Sequence, residues 1–168
     1  MSFKQIPVED FLVNAVTLFR DNWGLLTAGT VESHNTMTVS WGMLGELWGE
    51  DAAMVFVRPQ RYTKQFMDAN ASFTLSFLPK DSESKRIHGI CGTKSGRDIN
   101  KPAEAGLTPV ALEDSVYYEQ AQSVILCRKL AAQDFDPACF LSDIPRDIYT
   151  ERDYHTLYVG KIERILVK

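Results

Sequence analysis

The sequence predicts a mainly β barrel in a single domain, with a few short helices. Strand-like stretches follow one another with only brief helical interludes, which argues for a barrel over a doubly wound sheet. The stretch "NTMTVSWG", residues 35–42, alternates Asn35, Met37, Val39 and Trp41 with Thr36, Thr38 and Ser40, as a strand does. No repeat, low-complexity segment or linker divides the 168 residues, so one domain over 1–168 is expected.

In chain order, Pro7 can begin a short helix through about Val13, and Trp23 to Val31 reads as a strand. The alternating stretch is the next strand, ending near Gly42 to Gly45. Ala52 to Val57 is a continuous apolar run, read as a buried strand. In "RPQRYTKQFMDAN", Pro59 breaks that strand, and Tyr62, Phe66 and Ala69 recur at helical spacing. Ala71 to Leu78 is a strand, and Ser82 to Ile90 a helix with Ser82 as its cap. Residues 92–109 form a polar segment with Gly, Asn and Pro. Gln122 to Leu130 and His155 to Val167 are the last long strands, separated by an irregular excursion, giving six or seven strands in all.

Composition narrows the function classes. Hydrophobic residues make up 45% and charged residues 24%, the balance of a globular protein. A net charge of −4 suits neither nucleic acid nor an anionic membrane. The three cysteines, Cys91, Cys127 and Cys139, form no C-x-x-C pair, so neither a disulfide framework nor a zinc ribbon is expected. Reduced thiols, and acids where a signal peptide would need an apolar run, point to the cytoplasm. His34, His88 and His155 lack metal spacing, and no metal site is expected. There is no G-x-G-x-x-G fingerprint for a Rossmann nicotinamide site.

Three polar stretches carry potential chemistry. The first is the hydroxyl row of Thr36, Thr38 and Ser40, whose plainer reading is a strand face paired with a neighbouring Thr-bearing strand. The second is "VRPQRYT", where a buried strand gives way to Arg58, Arg61 and Thr63 at a helix start, a reasonable anion site or two solvated arginines. The third is "CGTKSGRDINK", which lacks the spacing of a P-loop. Even so, Lys80 to Lys101 carries six Lys or Arg against three acids. Hydroxyls, arginines and a Ser-Gly turn together suit one phosphorylated, polyhydroxylated ligand.

In order, "NTMTVSWGMLGELW", "VFVRPQRYT", "FTLSFL", "SGRDINK" and "HTLYVGKI" resemble the flavin reductase-like family of FMN-binding split barrels, which includes flavoredoxin. The resemblance runs from Trp23 to Ile162. It implies a homodimeric, FMN-binding split β-barrel with non-covalent FMN near the dimer interface. The implied cofactor contacts are Asn35, Thr36, Met37, Thr38, Ser40 and Trp41; Arg61, Tyr62 and Thr63; and Ser95, Gly96, Arg97 and Lys101. Arg61, Thr63 and Lys101 are assigned to the phosphate, with Ser95 and Arg97 in support. His155 is the catalytic candidate, a proton donor or ring-edge contact, against the alternative of a strand-end histidine bonded to a carbonyl. Alternation places Asn35 and Trp41 opposite Thr38, which requires either a bulge or a second subunit's flavin. Asn100 stands where many relatives have Asp, a change confined to the loop's internal bonding. Cys91, beside the expected phosphate loop, is either a redox thiol or, by preference, buried packing.

The implied activity is an FMN-dependent oxidoreductase, with NAD(P)H as co-substrate and free flavin or a soluble redox partner protein as acceptor. The alternatives are a flavoredoxin-like electron carrier that does not oxidise nicotinamide, and a flavin-binding module without turnover. A weaker one is another phosphorylated cofactor, as in the related pyridoxamine-phosphate oxidase barrels.

Overall fold

The computed structural model describes residues 2–168 and is mainly β. The principal sheet is built from β2 (Gly24–Gly29), β3 (His34–Val39), β4 (Gly42–Leu47), β5 (Glu50–Val57), β6 (Ser72–Phe77), β9 (Ser123–Asp134) and β10 (Thr156–Val167). Its order is β3-β2-β6-β9-β10-β5-β4, all antiparallel, so β3 and β4 are the opposite edges. Yet only Ser40 and Trp41 separate them in sequence. Three peptide units reach at most about 11 Å, so the two edges must approach one another and the sheet curls into a barrel left open at that seam. A short strand β1 (Lys4–Ile6) pairs with the far end of β10, and a separate hairpin joins β7 (Pro109–Leu112) to β8 (Ser115–Tyr118).

Two devices bend the barrel. The β9–β10 register shifts between Val159 and Gly160 and again between Ile162 and Arg164, and such bulges increase twist. Gly160 lies against the Phe73 ring, where a Cβ would come within 2.7 Å. At the seam, a Cβ on Gly42 would sit 2.2 Å from the buried Phe19 ring, so glycine lets β4 begin there.

α1 (Ala15–Thr17) continues into a π turn at Leu18–Asn22, α2 (Thr63–Ala69) follows β5, and α3 (Ser82–Thr93) and α4 (Lys101–Ala105) form an outer layer. Of these helices, α2, α3 and α4 pack beside β2 and β3, and α1 packs against β4. α5 (Asp143–Ile148) belongs to the excursion between β9 and β10. The barrel interior holds Leu26, Val55, Phe73, Leu75, Ile125 and Tyr158. A second core lies between barrel and outer layer, with Leu25, Ile87, Cys91, Leu107 and Tyr118. β2 is therefore buried on both faces.

Several sequence expectations need correction. Pro7 to Val13 holds only a 3-10 turn at Val8–Asp10; Leu12 is exposed, and the apolar residues that enter the core are Leu18 and Phe19 beyond it. The strand expected from Asn35 to Gly42–Gly45 is two strands, because the chain leaves one edge and joins the other at Ser40–Trp41. Asp81, not Ser82, caps α3, accepting from the Ser84 N–H at 2.7 Å. The polar segment 92–109 contains α4, capped by Asn100 and ended by Gly106 at φ 71°. The β7–β8 hairpin was not expected; its strands are only four residues each, too short for a clear alternation. β9 runs on to Asp134 because β10 pairs with its extension.

Candidate functional site

A groove follows the edge strand β3. Near its end lies a cleft of about 140 Å³, lined by Met37, Thr38, Val39, Ser40 and Trp41 with Phe56, Arg58, Arg61 and His155. Beyond Met37 and Arg61, which line both, a second cleft of about 110 Å³ is walled by Gln60, Tyr62, Thr63, Thr93, Lys94, Ser95 and Lys101. Five consecutive residues on one wall cannot all come from one strand face. The groove meets β3 at its edge, where the backbone N–H and C=O groups have no strand partner. Thr38 and Trp41, which alternation puts on opposite faces, therefore reach one cleft together with Met37, whereas Asn35 does not line it.

The hydroxyl row splits. Thr36 is fully buried, accepts from the Thr27 hydroxyl at 3.0 Å and donates to the Leu26 carbonyl at 3.2 Å. Thr38 donates to the His88 carbonyl of α3 at 2.8 Å. Thr36 thus ties β3 to β2 within the barrel and Thr38 ties β3 to the outer layer, and Thr36 lines neither cleft. Ser40 stands at the seam beside Trp41, a residue 43% exposed whose ring lies 4.8 Å from that of His155.

The polar end is built by three segments. Asn35 Nδ2 donates to the Thr63 hydroxyl at 2.7 Å, fixing α2 to β3. Thr63 Oγ1 accepts there, leaving its proton for another partner. Gly96 sits so close that a Cβ would lie 1.9 Å from Asn35 Oδ1 and 2.9 Å from the Tyr62 ring. Arg97 spans back over the Tyr62 ring at 4.8 Å and donates to the Gln60 carbonyl at 3.3 Å. Its backbone N–H donates to the Ser95 hydroxyl at 3.2 Å. Asn35, Gly96 and Arg97 line neither of the two clefts; with Tyr62 and Lys101 they border a separate polar cleft of about 460 Å³.

Lys101 is buried, and its Nζ donates to the Thr36 carbonyl at 3.0 Å and the Cys91 carbonyl at 2.9 Å. It clasps β3 to the end of α3, with one of three donors left over. Burial lowers its pKa, as does Arg61. Arg61 is only lightly held, reaching the Gly92 carbonyl at 3.3 Å. Cys91 is buried in the outer core and burial pushes its thiol up to about 11, so it packs rather than offering a thiolate.

His155 stands one residue before β10, buried, with Nδ1 2.7 Å from the Tyr149 hydroxyl. Burial, followed by the Arg58 charge, pushes its pKa down to about 4, so the ring is neutral at pH 7. Arg58 is in turn paired with Asp153, which also accepts from Gln60 Nε2 at 2.8 Å. Arg58 is therefore spent on a structural pair, and Arg61 is the arginine left to the groove. Sequence reasoning did not find Phe56, Thr93, Lys94 or Tyr149. Phe56 sits in an unbroken apolar run that conceals which residue turns outward, and Tyr149 lies in a segment with no periodicity.

The groove's donor set suits a flavin mononucleotide. The Arg61, Thr63 and Ser95 end offers a cation and hydroxyls, and the other end offers Trp41, Phe56 and unpaired strand-edge amides. Among the described residues there is no cluster of three or more His, Cys, Asp or Glu that could hold a metal, and no helix long and apolar enough to cross a membrane.

Comparison with known proteins bears on the family and the fold. The family model described as "Flavin reductase like domain" matches residues 19–168. No curated protein sequence matches the chain. Among solved structures, flavoredoxin of Desulfovibrio vulgaris (Miyazaki F) superposes with a TM-score of 0.67 at 21% identity, covering 87% of this chain and 69% of that one. Flavoredoxin from Methanosarcina acetivorans gives a TM-score of 0.70 at 17% identity, covering 98% and 76%. The NADH:FAD oxidoreductase of Streptomyces globisporus C-1027 gives 0.66 at 13%, covering 88% and 75%. The chain belongs to the flavin reductase-like family, and its fold is the split barrel of these proteins.

Proposed function

We propose that this member of the flavin reductase-like family binds FMN non-covalently in the β3-edge groove and is an NAD(P)H-dependent oxidoreductase. The observation that carries the reading is the adjacency of the two clefts, which share Met37 and Arg61 as lining residues. It gives one groove a cationic, hydroxylated end and an aromatic end. When bound, the flavin supplies the chemistry of accepting hydride and passing electrons on. Arg61 would face the phosphate, with the Thr63 and Ser95 hydroxyls beside it. Lys101 would act chiefly by holding β3 against α3, its spare donor directed by that clasp. Trp41 and Phe56 would exclude water from the ring end, and the β3 edge amides would bond polar ring edges. His155, neutral at working pH, would meet the ring end as a hydrogen-bonding group and not as a cation.

A second copy of the chain is the proposed cover for the ring end. Trp41, Met43 and Val16 are 43%, 57% and 65% exposed around an apolar hollow of about 610 Å³ that continues from the cleft at Ser40 and Trp41. The acceptor is free flavin or a soluble redox protein.

The first test is a visible spectrum of the purified protein, with chromatography of what heat releases. FMN at about one per chain supports the reading; release of FAD, or no uptake of added FMN, overturns the FMN assignment. NADH or NADPH oxidation with added FMN then decides between reductase and electron carrier. Turnover no faster than background removes the reductase.

A further inference from the structure

We infer that Tyr149 is a positioning residue for His155: its hydroxyl donates to Nδ1, so that the ring proton sits on Nε2, the nitrogen available to the groove. The inference rests on the proposed function only for what that proton meets; the tautomer is a property of this chain alone.

The Tyr149 oxygen and His155 Nδ1 are 2.7 Å apart, and both residues are buried. Two arrangements fit that distance: phenol to imidazole, or imidazole N–H to phenol oxygen. The second requires the phenolic proton to find another acceptor. Among the described residues the other group bonded to the Tyr149 oxygen is the His155 backbone N–H, itself a donor, and no second acceptor for the phenolic proton lies within reach, so only the first arrangement satisfies both groups. Burial raises the Tyr149 pKa above that of an ordinary phenol, so at pH 7 the hydroxyl retains a proton to give.

The surroundings hold this pair in register. Tyr149 ends the α5 segment, stacks on Phe140 at 5.8 Å and 15°, and lies under the Arg58 guanidinium at 5.5 Å. Arg58 is fixed by Asp153, two residues before His155. On its other side the imidazole meets Trp41 at 4.8 Å. The charged groups acting on the ring are Arg58 and Arg61, with Asp153 opposing them. None of them contacts Nδ1 or supplies an alternative donor there. A histidine fixed in this way presents an N–H to the ring cleft and therefore selects an acceptor atom, such as a carbonyl oxygen or an unprotonated ring nitrogen. An N–H or O–H group at that place would be rejected.

The test is long-range ¹H–¹⁵N NMR of the histidine-labelled protein near pH 7, without flavin. Wild type should show His155 protonated on Nε2 and bare on Nδ1. In Tyr149→Phe the resonances should move to a mixture of tautomers or to Nδ1–H. A wild-type Nδ1–H ring, or a Tyr149→Phe spectrum unchanged from wild type, overturns the inference. A double-mutant cycle supplies the second readout, the FMN dissociation constant from flavin fluorescence. Tyr149→Phe should weaken FMN about two- to ten-fold in the wild-type background, and have no further effect in His155→Gln, whose amide donates without help from Tyr149. An equal loss in both backgrounds also overturns it, since Tyr149 would then be acting on packing alone. If the protein binds no FMN, the proposed function fails while the tautomer measurement still decides this point.

Discussion

Asn35 on β3 donates to the Thr63 hydroxyl on α2 at 2.7 Å, and this single bond organises the polar end of the groove. Twenty-eight residues apart in sequence, the two side chains meet because β3 and α2 flank the same barrel end. Gly96 then packs against the pair so closely that the loop carrying Ser95 and Arg97 is placed by them.

Gly96→Ala tests that placement. The new methyl would lie 1.9 Å from Asn35 Oδ1 and 2.9 Å from Tyr62, so the loop or the Asn35–Thr63 bond must yield. The expected cost is about 1–3 kcal/mol of stability, together with weaker flavin uptake, read by urea unfolding and flavin titration. Unchanged values in both would mean that the loop adapts freely.

Arg61→Ala should weaken FMN by about 1.5–3 kcal/mol, the scale of a hydrogen bond to a charged group, with little change in stability. Among the described residues the side chain's only hydrogen-bond partner is the Gly92 carbonyl at a long 3.3 Å, so removing it costs the fold little. Titration of the apoprotein measures this, and unaltered affinity would remove Arg61 from the phosphate.

Acid should destabilise the protein before its carboxylates titrate. Burial pushes His88 down to about 4, and burial with Arg58 does the same to His155. Both folded values lie below the unfolded value of about 6.5. The unfolded chain therefore takes up protons first, and the stability contributed by the two neutral rings is complete above pH 6.5. It is lost as pH falls from there towards 4, by about 2 kcal/mol per histidine at pH 5. Urea unfolding at pH 7.5 and pH 5 should show this difference, and His88→Phe should reduce it. Asp68, Asp81 and Asp153, whose pKa values are lowered, add a further loss only below about pH 4.

Gly42→Ala should strain the barrel seam. A Cβ there would come 2.2 Å from the Phe19 ring, which is itself buried and has little room to withdraw. A loss of about 1–3 kcal/mol is expected in thermal or urea unfolding. Gly45→Ala, where nothing lies within 4 Å, serves as the control and should be close to neutral.

Local pattern in the sequence was sufficient for the barrel class and for bringing Arg61, Tyr62, Thr63, Ser95 and Lys101 under consideration at the polar end of the groove. Strand alternation, the apolar run at Ala52–Val57 and the polar segment 92–109 are properties of neighbours in the chain, and they survive folding. What only the tertiary structure decided depends on contacts between distant residues. Thr36 and Thr38 look like ligand hydroxyls until Thr27, Leu26 and His88 claim them. Lys101 looks like a free cation until two carbonyls hold it. β3 and β4 read as one strand because the pattern runs through Ser40–Trp41, whereas closure of the barrel sends the chain from one sheet edge to the other. The groove follows an edge, and a strand's periodicity records its faces but not its edges. Tyr149 met His155 only because β9 and β10 extend past the barrel and bring the excursion back over the strand's start.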